Sequence, residues 1–181
     1  MSAVHAAELA ERRWAWVVAG IIGLLVVMMV FTGLHWASMP PSRVEVVDPR
    51  TLHMRGEFVE DNLGTSVDAQ GKVTVRLVAQ QYSFTPQCIV VPADTPVTIR
   101  GTATDAIHGF VVGRTNANVM LVPGFVATFT TRFTRAGELL MPCHEYCGTG
   151  HQGMWARVQV LEPAEFLRQA QPGKAVSCVP R

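Results

Sequence analysis

Cys143-His-Glu-Tyr-Cys147-Gly-Thr-Gly-His151-Gln-Gly-Met154 places two thiols, an imidazole and a thioether in one short stretch of chain. Thiolate and thioether donors select copper over the hard cations, and a Met in the set points away from zinc, which takes Cys, His and carboxylate. A mononuclear blue-copper site uses a single Cys with two His and a weak Met, so the second thiol asks for a second metal. Two bridging thiolates make a two-copper centre, and both coppers then need terminal ligands. His108, in the apolar segment Asp105-Ala-Ile-His108-Gly-Phe-Val-Val112, is the candidate for the further imidazole. Gly148, Gly150 and Gly153 let the loop turn tightly.

With His108 included, the residues resemble the CuA-bearing subunit II of heme-copper cytochrome c oxidases. Its signature is Cys-x-Glu-x-Cys-x-x-x-His-x-x-Met with an upstream Asp-x-x-His, and every position is filled here. The resemblance runs from the membrane segment to about Leu161. A single span, Val46-Val-Asp-Pro49, and Phe84-Thr-Pro86 leading into Ile89-Val-Val-Pro92 resemble the smaller B-type oxidases. The resemblance implies that Cys143 and Cys147 bridge two copper ions, that His108 and His151 are terminal ligands, that Met154 is a weak ligand, and that Glu145 contributes its backbone carbonyl. It further implies a heme-bearing oxidase subunit I that His151 faces and that reduces dioxygen to water, a cytochrome c or similar soluble electron donor, and a magnesium ion at the subunit I interface near the Glu145 carboxylate. The catalytic oxygen site then belongs to the partner, and this chain is a relay.

Thiolate bridges let two coppers share one unpaired electron, which suits an electron relay with a closed ligand set. A structural zinc site is disfavoured, because i, i+4, i+8 with Met at i+11 is not the paired Cys-x-x-Cys pattern. Covalent heme lacks its Cys-x-x-Cys-His. The rival readings are a CuA subunit of a nitric oxide reductase and a copper-delivery or storage protein. His144 occupies a variable position of the motif and is expected to face solvent or a subunit contact.

Trp14 to Phe31 runs without a charge and continues as Thr-Gly-Leu-His-Trp36. From Trp14 to Trp36 a helix rises roughly 34 Å at about 1.5 Å per residue, enough for a hydrocarbon core of roughly 30 Å. Arg12 and Arg13 abut its start and the next basic side chain beyond Trp36 is Arg43. The positive-inside rule therefore sets the N-terminus in the cytoplasm and the rest on the outer side; with the resemblance this implies a single-pass protein of a bacterial inner membrane whose copper domain is periplasmic. The length fits a retained anchor better than a cleaved signal peptide.

Beyond the anchor the expected class is all-β, a cupredoxin-like Greek-key barrel with one N-terminal transmembrane helix; the cupredoxin part is what the resemblance implies. Met39-Pro-Pro-Ser42 ends the helix, and a short helix is expected near Glu57 to Asn62. Val73, Val75, Leu77 and Ala79 alternate with polar residues at the strand period of two. Further strands are expected at 88–91, 96–101, 107–112, 119–122, 125–133, 138–141 and 154–161, separated by turn residues. Pro163 opens a short closing helix with Phe166, Leu167 and Ala170 on one face. The expected organisation is a cytoplasmic segment 1–13, a span 14–37, a linker 38–71, the copper domain 72–162, and a helix and tail 163–181.

At 181 residues with a net charge of +1, the chain leaves about one core beyond its anchor and shows no basic run for nucleic acid. Cys88 and Cys178 lie outside the motif and can pair on the oxidising side of a membrane, with a buried Cys88 and a free tail thiol as the alternative. Tyr82, Phe84 and Trp155 are either aromatic residues beside the metal or ordinary strand packing.

Overall fold

The computed structural model describes residues 3–35, 44–170 and 173–178. The chain divides into two compact units, Met1–Arg43 and Val44–Arg181. The first contains one helix, α1 (Ala3–His35), with no buried side chain among its described residues. Within His5–His35 an 18-residue stretch has a mean hydropathy of 2.7, and the helix is long enough to cross a bilayer. Near its end Thr32 Oγ1 donates back to the Met28 carbonyl at 2.9 Å, hiding the one hydroxyl of that turn. Trp36 and the Met39 to Ser42 stop lie outside the described residues.

The second unit is built on three sheets. The first carries β1 (Gly64–Val67), β2 (Val73–Gln80), β5 (Pro96–Ala103) and β8 (Ala127–Arg132) in the order β1-β2-β5-β8, with β3 (Ser83–Thr85) folded back onto β2. Strands β2 and β5 run parallel, Val73 opposite Val97 through Ala79 opposite Ala103. The second has the order β4 (Cys88–Pro92), β10 (Trp155–Leu161), β9 (Gly137–Pro142), with β4 and β10 parallel. The third is a hairpin of β6 (His108–Val111) and β7 (Asn118–Leu121). A helix, α2 (Pro163–Gln169), follows with Pro in its first turn and Phe166 buried.

Alternation decides which faces meet. In β2, Val73, Val75, Leu77 and Ala79 are buried, and in β10 Ala156, Val158 and Val160 are. They share one core with Phe84, Ile89, Val91, Phe110, Leu121, Phe133 and Met141. Phe84 meets Phe110 edge to face at 6.2 Å, so Phe84 is a core residue.

The expected all-β Greek-key barrel is corrected here: the described residues form open sheets and no closed one, and with α1 and α2 the fold is mixed α/β with an N-terminal apolar helix. Strand periodicity reports that strands exist and which face is apolar, but carries nothing about whether edges join. Between the edges of β1 and β4 there is no ladder. The C-terminal tail lies there instead, Val176 bridging Thr65 and Ser177 bridging Ile89. Beside these bridges Cys178 is disulfide-bonded to Cys88. Strands β1 and β3 had no counterpart in the sequence reading, and β1 falls within the segment expected as a linker. The short helix expected at 57–62 is a single 3-10 turn, Glu60–Asn62.

That same segment supplies Glu57. Arg76 and Arg100 stand opposite each other on β2 and β5, a like-charge pair that needs an anion. Glu57 lies between them: Oε2 accepts from Arg76 Nε at 3.2 Å and from Arg100 Nε at 2.7 Å, and Oε1 accepts from Arg100 Nη2. Burial pushes the Glu57 carboxyl up, but the hydrogen bonds and charges of Arg100 and Arg76 outweigh it and hold it below its ordinary 4.5.

Two outcomes are expected. Replacing Cys88 and Cys178 together by Ser frees the tail and should cost about 2–4 kcal/mol in chemical denaturation, because the cross-link closes a long loop in the unfolded chain. Because the folded pKa of Glu57 is depressed, its contribution is complete above 4.5 and fades as pH falls through the lower folded value. Glu57→Gln should therefore be less stable than the parent at neutral pH by about 1.5–3 kcal/mol, with the gap closing in strongly acidic buffer. An equal gap at both pH values would show that ionisation of Glu57 is not what stabilises the paired arginines.

Candidate metal centre

The loop between β9 and β10 is held at both ends. Cys143 N–H donates to the Met154 carbonyl at 2.9 Å, and His144 N–H donates to the Gly109 carbonyl at 3.1 Å on β6. A bridge between Phe110 and Cys143 ties loop and hairpin together, which carries His108 to the loop. His108, Cys143 and Cys147 are all buried, with ligand atoms within 4.8 Å of one another.

His108 is fully buried, and its two nitrogens differ. Nε2 is 2.9 Å from Asp105 Oδ1, whereas Nδ1 has no hydrogen-bond partner. An ionised carboxylate accepts from N–H, so Asp105 fixes the proton on Nε2 and leaves a bare lone pair on Nδ1. Burial tends to raise the Asp105 carboxyl, but donors from Gln81 N–H, His108 and Ala106 N–H offset it and hold it below the ordinary range.

The other motif residues gather around the thiols. Cys143 Sγ donates to the Glu145 carbonyl at 3.3 Å. Cys147 Sγ lies 3.7 Å from His151 Nδ1 and 3.7 Å from Met154 Sδ. Met154 is buried and His151 half-buried, with the exposed Tyr146 ring edge-on to His151 at 5.8 Å. Burial, and then the neighbouring Cys143, push the Cys147 thiol up to about 11. In the metal-free chain that thiol is protonated at neutral pH and is a poor nucleophile, whereas a soft metal displaces the proton. The donor set thus fits a soft metal, and an unpartnered buried imidazole nitrogen faces no competing hydrogen-bond role.

Of the residues singled out in the sequence, His144 is exposed as expected. Trp155 is half-exposed with the Arg157 guanidinium 5.4 Å from its ring centre, at the start of β10. Tyr82 comes to the loop: its hydroxyl is 3.4 Å from Thr149 Oγ1 and its ring lies over Gly150. Gln81 was missed. Its side-chain amide donates to the Cys147 carbonyl and its backbone N–H donates to Asp105 Oδ2 at 2.7 Å. A Gln in a turn has no spacing signal that could have singled it out.

The packing of Tyr82 depends on absent side chains. A Cβ on Gly150 would stand 2.5 Å from the Tyr82 ring, and one on Gly148 would stand 2.6 Å from the Tyr82 hydroxyl. Gly148 also has φ of +136°, a conformation that L side chains rarely adopt.

A scan of known families matches residues 68–161 to cytochrome c oxidase subunit II, periplasmic domain. A cytochrome c oxidase subunit 2 of Thermus thermophilus is 32% identical over 161 residues, covering 87% of this chain and 96% of the relative. A second Thermus thermophilus protein of that name is 35% identical over 124 residues, covering 68% of this chain and 92% of the relative. Among solved structures, a chain from a cryo-EM structure of a heme-copper terminal oxidase dimer superposes with a TM-score of 0.53 at 22% identity, over 84% of this chain and 99% of that one. The last similarity concerns the fold alone.

Gly150→Ala should lower the stability of the metal-free chain by about 1–3 kcal/mol, since the Tyr82 ring must move. Gly153→Ala, where an added Cβ meets nothing within 4 Å, should change it by less than about 0.5 kcal/mol. Chemical denaturation of the two variants side by side checks the pair, and equal losses would dismiss the Tyr82 contact.

Proposed function

Since the chain belongs to the cytochrome c oxidase subunit II family, we propose that its copper loop and His108 hold a binuclear CuA centre that takes electrons from cytochrome c or a similar soluble carrier. It is an electron-transfer subunit, passing electrons toward the heme-bearing subunit I of a heme-copper oxidase, where dioxygen is reduced to water. It is a single-pass inner-membrane protein, anchored by α1, with its copper domain periplasmic. The observation that carries the copper assignment is the fully buried His108, with Nε2 occupied by Asp105 and Nδ1 unpartnered, grouped with two buried thiols.

In this reading Cys143 and Cys147 would hold the copper through their thiolates, with His108 Nδ1, His151 Nδ1, the Met154 thioether and the Glu145 carbonyl as the further donors. Copper shared between two thiolates supplies one-electron exchange with little change in bond length. The chain's own part is to keep that set dry and fixed. Buried Met154 and His108 exclude water from the thiols, and Asp105 holds the imidazole in one tautomer and orientation. Six donors leave no position for a substrate, which suits a relay and disfavours a delivery protein that must release its metal. The one apolar span among the described residues, with Val46-Val-Asp-Pro49 and Phe84-Thr-Pro86, supports a B-type partner by its resemblance.

The full chain in detergent, reconstituted with copper, should bind about two coppers, turn purple and give an EPR hyperfine pattern shared by both nuclei, as bridging thiolates require. A single blue or colourless metal site would defeat the binuclear reading. Cys147→Ser should abolish the shared hyperfine pattern.

A further inference from the structure

We propose that Gln81 is a positioning residue of the copper centre, a brace that locks the Asp105–His108 pair to the Cys147 end of the loop; the inference rests on the binuclear reading above. The ligands arrive from separate sheets. His108 stands on the β6 hairpin, and the two thiols hang between β9 and β10 of the second sheet. Gln81 belongs to neither. It sits in the turn between β2 and β3, closed by the pairing of Gln80 with Ser83, and so is fixed to the first sheet. From there its backbone N–H reaches Asp105 Oδ2 at 2.7 Å while its amide Nε2 reaches the Cys147 carbonyl.

These bonds complete two otherwise partial arrangements. Asp105 Oδ1 is taken by His108 Nε2 and Ala106 N–H, so the Gln81 N–H is what holds the second oxygen and stops the carboxylate from rotating. On the loop side, the Cys147 carbonyl is anchored by a side chain from outside the loop, which fixes the peptide from which the thiol projects. One residue thereby adds a further tie, beside the Phe110–Cys143 bridge, between the imidazole end of the site and the Cys147 end. Tyr82 follows Gln81 directly and covers Gly150, so the same turn also caps the loop. Gln81 is exposed to solvent, and water can replace part of what it donates. Its effect therefore belongs to how long and how symmetrically the metal is held, not to whether the chain folds.

The test uses the full chain in detergent and three proteins: the parent, Gln81→Met, which keeps the shape and the backbone N–H to Asp105 but removes the amide that ties them to Cys147, and Gln81→Glu, which sets an acceptor against the Cys147 carbonyl. Each is melted metal-free, loaded with copper, and challenged with a strong copper(I) chelator under reducing conditions while EPR hyperfine structure is recorded on a parallel oxidised sample. The expected result is an unchanged metal-free melt, two coppers bound, and release about tenfold faster for Gln81→Met and faster still for Gln81→Glu, with hyperfine coupling less evenly shared. Release within twofold of the parent and an unchanged spectrum in both variants would overturn the assignment. A metal-free melt that falls in step with copper retention would overturn it too, making Gln81 a general structural residue. A parent chain that takes up one copper or none fails the binuclear reading itself and removes the premise, an outcome the parent sample alone reveals.

Discussion

The hydrogen bond from His108 Nε2 to Asp105 Oδ1 is the constraint around which the thiol-bearing pole of the domain is arranged. Burying an imidazole with one nitrogen unpartnered costs about 1–3 kcal/mol in desolvation, and the fold holds it there all the same. The surrounding structure over-determines the position. β6 pairs with β7 on one side, Phe110 bridges to Cys143 on the other, and the Phe110 ring packs into the shared core against Phe84 and Phe129. Placing His108 one residue along the strand would turn it to the other face, away from the thiols. The core is thus what pins the ligand, and the site inherits its rigidity from apolar packing.

An open arrangement of sheets explains how such rigidity coexists with a loop proposed to take up metal. Each sheet is fixed internally by its ladder, and beyond the shared apolar core the sheets are joined at particular points: a tail stitched between β1 and β4, and the bridge from Phe110 to Cys143. The disulfide lies at Cys88, on β4, and the loop of Cys143 and Cys147 precedes β10, its parallel neighbour. The tail therefore secures the same sheet that carries the thiols. Isolated bridges leave fewer backbone groups satisfied than a ladder does, and the covalent bond from Cys88 to Cys178 compensates where the hydrogen bonding is sparse.

Much of the site was legible in the chain because its donors are concentrated. Five of the six proposed donors lie between Cys143 and Met154, and the residue types in that spacing specify soft-metal chemistry before any fold is known. Most strands were legible for a similar reason, since β2 and β10 write their buried faces at a period of two. Three things were not. Strand β1 has the sequence Gly-Thr-Ser-Val, with no apolar alternation, and is a strand because β2 lies beside it. The closure of the sheets depends on which edges meet, and edges meet through tertiary packing that leaves no local pattern. Gln81 acts through one backbone N–H and one amide, to partners far along the chain, and its neighbours in sequence say nothing of either.

The burial around the thiols also orders the ways in and out of the proposed relay. His108, Cys143, Cys147 and Met154 are buried, whereas His151 is half-buried and meets the exposed Tyr146 ring. Electron transfer falls off steeply with distance, so the donor that reaches both metal and solvent is the one with which a partner can communicate. In the proposed ligand set that donor is His151. Asp105, Gln81 and the core are then devoted to holding geometry, which leaves His151 free for exchange. A closed set of ligands with one imidazole at the surface is what a relay requires, since it must conduct without offering an open coordination position to oxygen.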